Sequence, residues 1–288
     1  MDKNAAHTSQ PGRFGIGRRN LAFASVGAVG ASLTTWRGPA RATPTTREIA
    51  DMTWIEVRDA IAGGLHTVIV PSGGLEQNGP HMVIGKHDYI VRWAARRIAA
   101  ELGDALVAPV VSYVPQGDYD PPTGNMQWPG TLGVPSVVFA AVLEGIARSL
   151  KAAGFTTICL IADHGPSVAT QAEVAAKLSR EWRAGPRVLA VDAYYADAAE
   201  TAYLRAQGET DAAIGEHATI ADTSELMAVH PEGVDLSRLG RDWPRPGSGV
   251  VGDPARSTIA RGDALMALKV KAAVAQIAAA AASKRNAS

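Results

Sequence analysis

Four short apolar runs separated by longer stretches of helical periodicity restrict this chain to a narrow set of folds. The runs are "HTVIVP" (66–71), "ALVAPVVSY" (105–113), "TTICLIA" (156–162) and "RVLAVDAYY" (187–195). Each is continuous enough in Val, Ile, Leu and Ala to be a strand buried on both faces. Between and after them the pattern turns helical. "PSVVFAAVLEGIARSLKAAGF" ends at Gly154, a helix stop, and "VATQAEVAAKLSREW" repeats Ala175, Leu178 and Trp182 at helical spacing. The final "DALMALKVKAAVAQIAAAAA" places Leu265, Leu268, Ala272 and Ala275 on one stripe, expected to pack on the sheet. Alternation of this kind predicts an α/β fold, a three-layer sandwich whose mostly parallel central sheet is covered by helices on both faces. Ligands of such sheets bind where the carboxyl ends of strands lead into loops.

The first 42 residues follow another pattern. Arg18 and Arg19 precede an apolar run from about Leu21 to Leu33, and Ala40-Arg41-Ala42 forms a small-x-small cleavage site. This is the pattern of a twin-arginine export signal, so a periplasmic or secreted protein is expected, with residues 43–288 as a single domain. No later segment reads as uninterrupted enough to cross a membrane. Lys plus Arg (28) balance Asp plus Glu (28), which removes the overall field that would draw the chain to nucleic acid or anionic lipid. Cys159 is the one cysteine, and its place inside "TTICLIA" makes it a core residue and not a nucleophile.

The loops after the strands hold the chemistry. "GGLEQNGPHMVIGKHD" (73–88) follows the first run and "DHGPS" (163–167) the third. Together with "GEHATIAD" (215–222) they supply Glu76, His81, His87, Asp88, His164, His217 and Asp222. A mixture of carboxylates and imidazoles suits zinc, manganese or iron(II), which acidify water for attack on a carbonyl. The Pro- and Gly-rich stretch 231–258 is long for a connection and is expected to serve the site. Asp163 has three readings: it steers the ring of His164, binds metal, or caps the next helix. Glu216, Glu225 and His230 are read as surface or structural groups. Tyr113, Tyr119, Trp128, Tyr194 and Tyr195 either wall a pocket or edge the core.

These loops resemble the creatininase (creatinine amidohydrolase) family. Its signature of acid, Gln, His, Gly, Pro, His stands here as Glu76-Gln77-Asn78-Gly79-Pro80-His81, with Lys86-His87-Asp88 following. "WPGTLGVP" (128–135), "IADHGPS" (161–167), "GEHATIADTSELMAVHPEGVDL" (215–236) and "GVVGDPARST" (249–258) are similar to later family segments, in order. The resemblance implies an α/β sandwich, assembled into homo-oligomers, that holds one or two divalent metals and hydrolyses C–N bonds of cyclic or linear amides. It also implies metal-binding roles for Glu76 and His164, an acid at Asp222 and proton transfer at His217.

Two departures bear on the metal. Asn78 stands where the family places a second histidine ligand, and its amide oxygen is a poor ligand for zinc. Ungapped counting puts His87 at the family's bridging aspartate. Either Asp88 is the ligand after an insertion, or His87 replaces it and the site holds a single metal; His87 is the preferred reading. His81 is expected to orient Glu76 or the water from behind. The expectation is a metal-dependent amidohydrolase acting on a small amide, with ring-opening of a lactone or ester as a neighbouring chemistry and a silent binding protein as the alternative.

Overall fold

The computed structural model describes residues 46–195, 197–240 and 247–285; the expected export signal, residues 1–42, lies outside them. Strands β1 (Thr67–Ser72), β2 (Ala105–Val107), β3 (Thr157–Ala162) and β4 (Arg187–Ala190) form one sheet in the order β2-β1-β3-β4, parallel throughout. Side chains alternate across it. Ile69, Cys159 and Ile161 face one layer, made by α2 (Lys86–Leu102), α7 (Ile220–Val229) and α8 (Ile259–Arg285). Val68, Val70, Ile158 and Leu160 face the other, formed by α1 (Trp54–Ala62), α3 (Ser136–Ala153) and α4 (Gly165–Glu181). The three-layer α/β sandwich is therefore present, and Cys159 is buried in it as a thiol whose pKa burial pushes up to about 12.

The short helices α5 (Asp197–Ala206) and α6 (Asp211–Ile214) lie between β4 and α7 in sequence. Three expected elements differ in extent. The second run is a strand only to Val107, because Pro109 has no N–H to offer a ladder; beyond it Val111 still donates to the carbonyl of Pro71. The fourth strand stops at Ala190, and Asp192–Tyr194 turn as a 3₁₀ helix. In α8 the buried stripe is Leu265, Met266, Lys269, Val270, Ala273 and Ile277, so Leu265 is placed as expected, whereas Leu268 and Ala272 are half-buried and Ala275 is exposed. Poly-alanine gives little contrast between faces, and the true stripe includes a lysine.

α8 also corrects a second expectation: by length and composition, Ile259–Ala282 suffices to cross a bilayer. Its inner face is packed on α2 and α7 and carries the buried ammonium of Lys269, as in a core helix.

Strand order places the site. The chain leaves β1 for β2 on one side and returns to β3 on the other, so the connections after β1 and β3 diverge at neighbouring carboxyl ends. That divergence opens a crevice there. The outer layer that closes it rests on α3, whose Phe139, Leu143 and Ala147 are fully buried. Phe139→Ala is expected to cost about 3–5 kcal/mol of stability, measured by denaturant unfolding.

Candidate metal centre

Glu76 occupies the connection after β1, inside that crevice, and is 1% exposed. Its Oε1 meets His87 Nε2 at 2.8 Å, and its Oε2 meets His164 Nε2 at 2.8 Å. Asn125 Nδ2 donates to Oε2 at 2.5 Å, and His217 Nδ1 stands 3.8 Å from Oε1. Three imidazoles from three separate elements thus surround one carboxylate.

Each is positioned by a different local device. His87 is in the first turn of α2, which begins close against the loop leaving β1. A Cβ on Gly73 would lie 2.0 Å from Asp88 Oδ1, so only glycine admits the helix there. His164 precedes α4, whose second residue is Pro166, a residue that starts helices without needing an N–H. His217 is held by the Pro- and Gly-rich stretch: Val251 donates to the His217 carbonyl at 2.9 Å, and Gln77 Nε2 donates to Gly249 O at 3.0 Å. The described part of that stretch therefore serves the site, as expected. His217 Nε2 donates to Gln77 O at 2.9 Å, so it is Nδ1 that faces Glu76.

The charges form a connected network. His87 Nδ1 reaches Asp163 Oδ2 at 2.8 Å, so both of its nitrogens face carboxylates and both must carry protons. Burial and Lys86 disfavour that imidazolium, yet Glu76 and Asp163 outweigh them and raise its pKa. Burial dominates at His164 and lowers its pKa, giving a neutral ring. Burial opposes ionisation of Glu76, but His87, His164 and Lys86 hold its carboxyl far below the usual range. Asp163 Oδ1 accepts from Tyr194 Oη at 2.8 Å and Lys269 Nζ at 3.0 Å. Lys269 continues to Glu225 Oε2 at 2.9 Å.

The expected residues divide accordingly. Glu76, His87, His164 and His217 come together. Asp88 does not: one residue along a helix turns a side chain by about 100°, and its Oδ1 accepts from Gly74 N at 3.0 Å. Asp222 lies beside the group, with Oδ1 on Lys86 Nζ at 2.6 Å. His81 faces α7, with Nε2 on Thr223 Oγ1 at 2.9 Å, and makes no contact with Glu76. Asp163 steers His87 and not His164, because its carboxylate is bonded to His87 on α2 and Lys269 on α8. Glu225 is no surface group but is 2% exposed, and Tyr194 is fully buried. Asn125, Lys86 and Lys269 were not anticipated. Lys269 carried a legible signal, standing four residues from both Leu265 and Ala273 on the buried face of α8.

The donor set fits a divalent ion. Among the described residues no three His, Cys, Asp or Glu side chains stand in the open arrangement of a formed metal site, because these donors are hydrogen-bonded to one another. Ligands about 2.0–2.2 Å from a tetrahedral zinc lie roughly 3.3 Å apart, so each 2.8 Å contact would have to open for an ion to enter. Each Nε2 must release its proton to become a donor, as metal binding by histidine generally requires.

A family model described as creatinine amidohydrolase matches residues 50–277. The chain is 28% identical over 197 residues to a creatinine amidohydrolase of Pseudomonas putida, covering 66% of this chain and 75% of that protein. It is 27% identical over 223 residues to a mycofactocin precursor peptide peptidase of Mycolicibacterium smegmatis, covering 69% and 79%. Among solved structures, a creatinine amidohydrolase (creatininase) is similar with a TM-score of 0.66 at 23% identity, covering 81% of this chain and 97% of that one. A Zn-Zn type of a creatininase variant has a TM-score of 0.66 at 22% identity, covering 81% and 98%.

His81 supplies a pH signature separate from the centre. Burial first, and then Lys86, lower its pKa to about 4 from 6.5, against the pull of Asp222. Between pH 6.5 and 4 the unfolded chain holds this proton more than the folded one does, so stability falls as pH is lowered through that window. His81→Gln is expected to flatten that part of the stability–pH curve relative to the native protein, as followed by denaturant midpoints.

Proposed function

The chain belongs to the creatinine amidohydrolase (creatininase) family, and we propose that it is a metal-dependent hydrolase cleaving a C–N bond of a small cyclic or linear amide. The observation carrying this reading is the Glu76 carboxylate bonded at once to His87 and His164 at the carboxyl ends of β1 and β3. Glu76, His87 and His164 would hold the ion. A divalent cation bound there supplies Lewis acidity for polarising an amide carbonyl and acidifying water.

The remaining groups manage the proton. His217, anchored through Nε2, presents Nδ1 to accept the proton of the attacking water and return it to the departing nitrogen. The Asp222 carboxylate, held ionised against burial chiefly by Lys86 and further by His217, lines the same side of the site. Asn125 holds the second oxygen of Glu76 in place. A cavity of about 210 Å³ adjoins His87 and Asp163, lined further by Tyr195, Thr201, Leu204, Glu216 and Asp222. It equals about seven waters at ~30 Å³ each, a volume suited to a small ring or a short chain. Export through the twin-arginine route, proposed from residues 1–42, would suit a chain that closes around its metal beforehand.

One observation favours a second reading, a binding protein without hydrolysis: Asn78 is committed to the main chain, donating to Glu76 O at 2.9 Å and Val83 O at 3.2 Å. Metal analysis with an amide-hydrolysis screen separates the two. His164→Ala is expected to lose bound zinc or manganese and hydrolysis together, with circular dichroism unchanged. Full metal content in that variant would contradict the assignment.

A further inference from the structure

Lys86 opens α2, yet its side chain is 1% exposed, where a lysine ordinarily keeps its ammonium in water. Its Nζ donates to Asp222 Oδ1 at 2.6 Å, and it also lies in the fields of Glu76 from the β1 loop, Asp163 from the end of β3, and the His87 ring next to it. We propose that the Lys86 ammonium is this protein's own second cation, so that the centre takes one divalent ion and not two. The inference rests on the reading of Glu76, His87 and His164 as a metal centre.

The partners of each acid support it. A second divalent ion needs a carboxylate not already committed, and the acids around Glu76 have partners. Asp222 is bound by Lys86. Asp163 is shared among His87, Tyr194 and Lys269. Asp88 holds the Gly74 amide. Asn78 spends its amide nitrogen on the carbonyls of Glu76, Val83 and Ile84 and leaves only a neutral amide oxygen, a poor ligand for zinc. An ion brought to Asp222 would have to displace Lys86 or sit against its buried ammonium, where the repulsion is stronger than in water.

The test is metal stoichiometry of the full-length protein, loaded with excess zinc, gel-filtered and measured by elemental analysis, beside calorimetric zinc titration. Native protein is expected to bind one equivalent. Lys86→Gln and Lys86→Met are expected to bind a second equivalent, or the first roughly tenfold or more tightly, while Lys86→Arg stays at one with affinity unchanged. Two equivalents in the native protein, or neutral variants identical to it in number and affinity, overturn the role of Lys86 and leave the metal centre standing. No zinc in the native protein overturns the centre itself. Should both neutral variants fail to fold by circular dichroism, the native count decides.

Discussion

A carboxylate taken out of water must find its counter-charge and its hydrogen bonds inside the protein, and Glu76 finds both in imidazoles. Desolvating a charge costs several kcal/mol per ion even after relaxation, on the order of what separates a folded domain from an unfolded one. The structure meets that cost by extending the network outward. His87 passes charge to Asp163, Asp163 to Lys269, and Lys269 to Glu225, so acids and bases alternate from the crevice to the face of α8. Removing any one member would strand its neighbour, which is why the cluster behaves as a unit and not as separate ion pairs.

The sheet makes this grouping possible. Because the connections from β1 and β3 diverge, Glu76 and His164 arrive from neighbouring strands, and the first turn of α2, close against the loop after β1, delivers His87. Gly73 sets the closeness of that approach, since any side chain there would collide with Asp88. Asp88, in turn, fixes the loop by holding the Gly74 amide. The acid that the family resemblance made a rival candidate thus shapes the backbone that presents His87.

Much of this was legible in the chain. The four apolar runs gave the sheet, with β1 and β3 correct to within a residue, and loop motifs identified Glu76, His164 and His217. What failed to show has common causes. Whether His87 or Asp88 faces the crevice depends on where α2 begins, and the start at Gly85 carries no side-chain cap to mark it. Lys86 and Lys269 were read past because lysine belongs outside by default, although Lys269 sits on an otherwise apolar stripe. Asp163 could be placed beside the site but not aimed, since its partner Tyr194 lies 31 residues away in the 3₁₀ turn after β4. The stripe on α8 slipped because alanine covers both faces.

The central claim is that one cation is held where Glu76, His87 and His164 converge. Anomalous diffraction at the zinc edge from crystals of the loaded protein tests it most directly. The account predicts an anomalous peak about 2.0–2.2 Å from Glu76 and from the Nε2 atoms of His87 and His164. A fully loaded protein whose peak lies on other side chains, with Glu76 still hydrogen-bonded between the two rings, would contradict it.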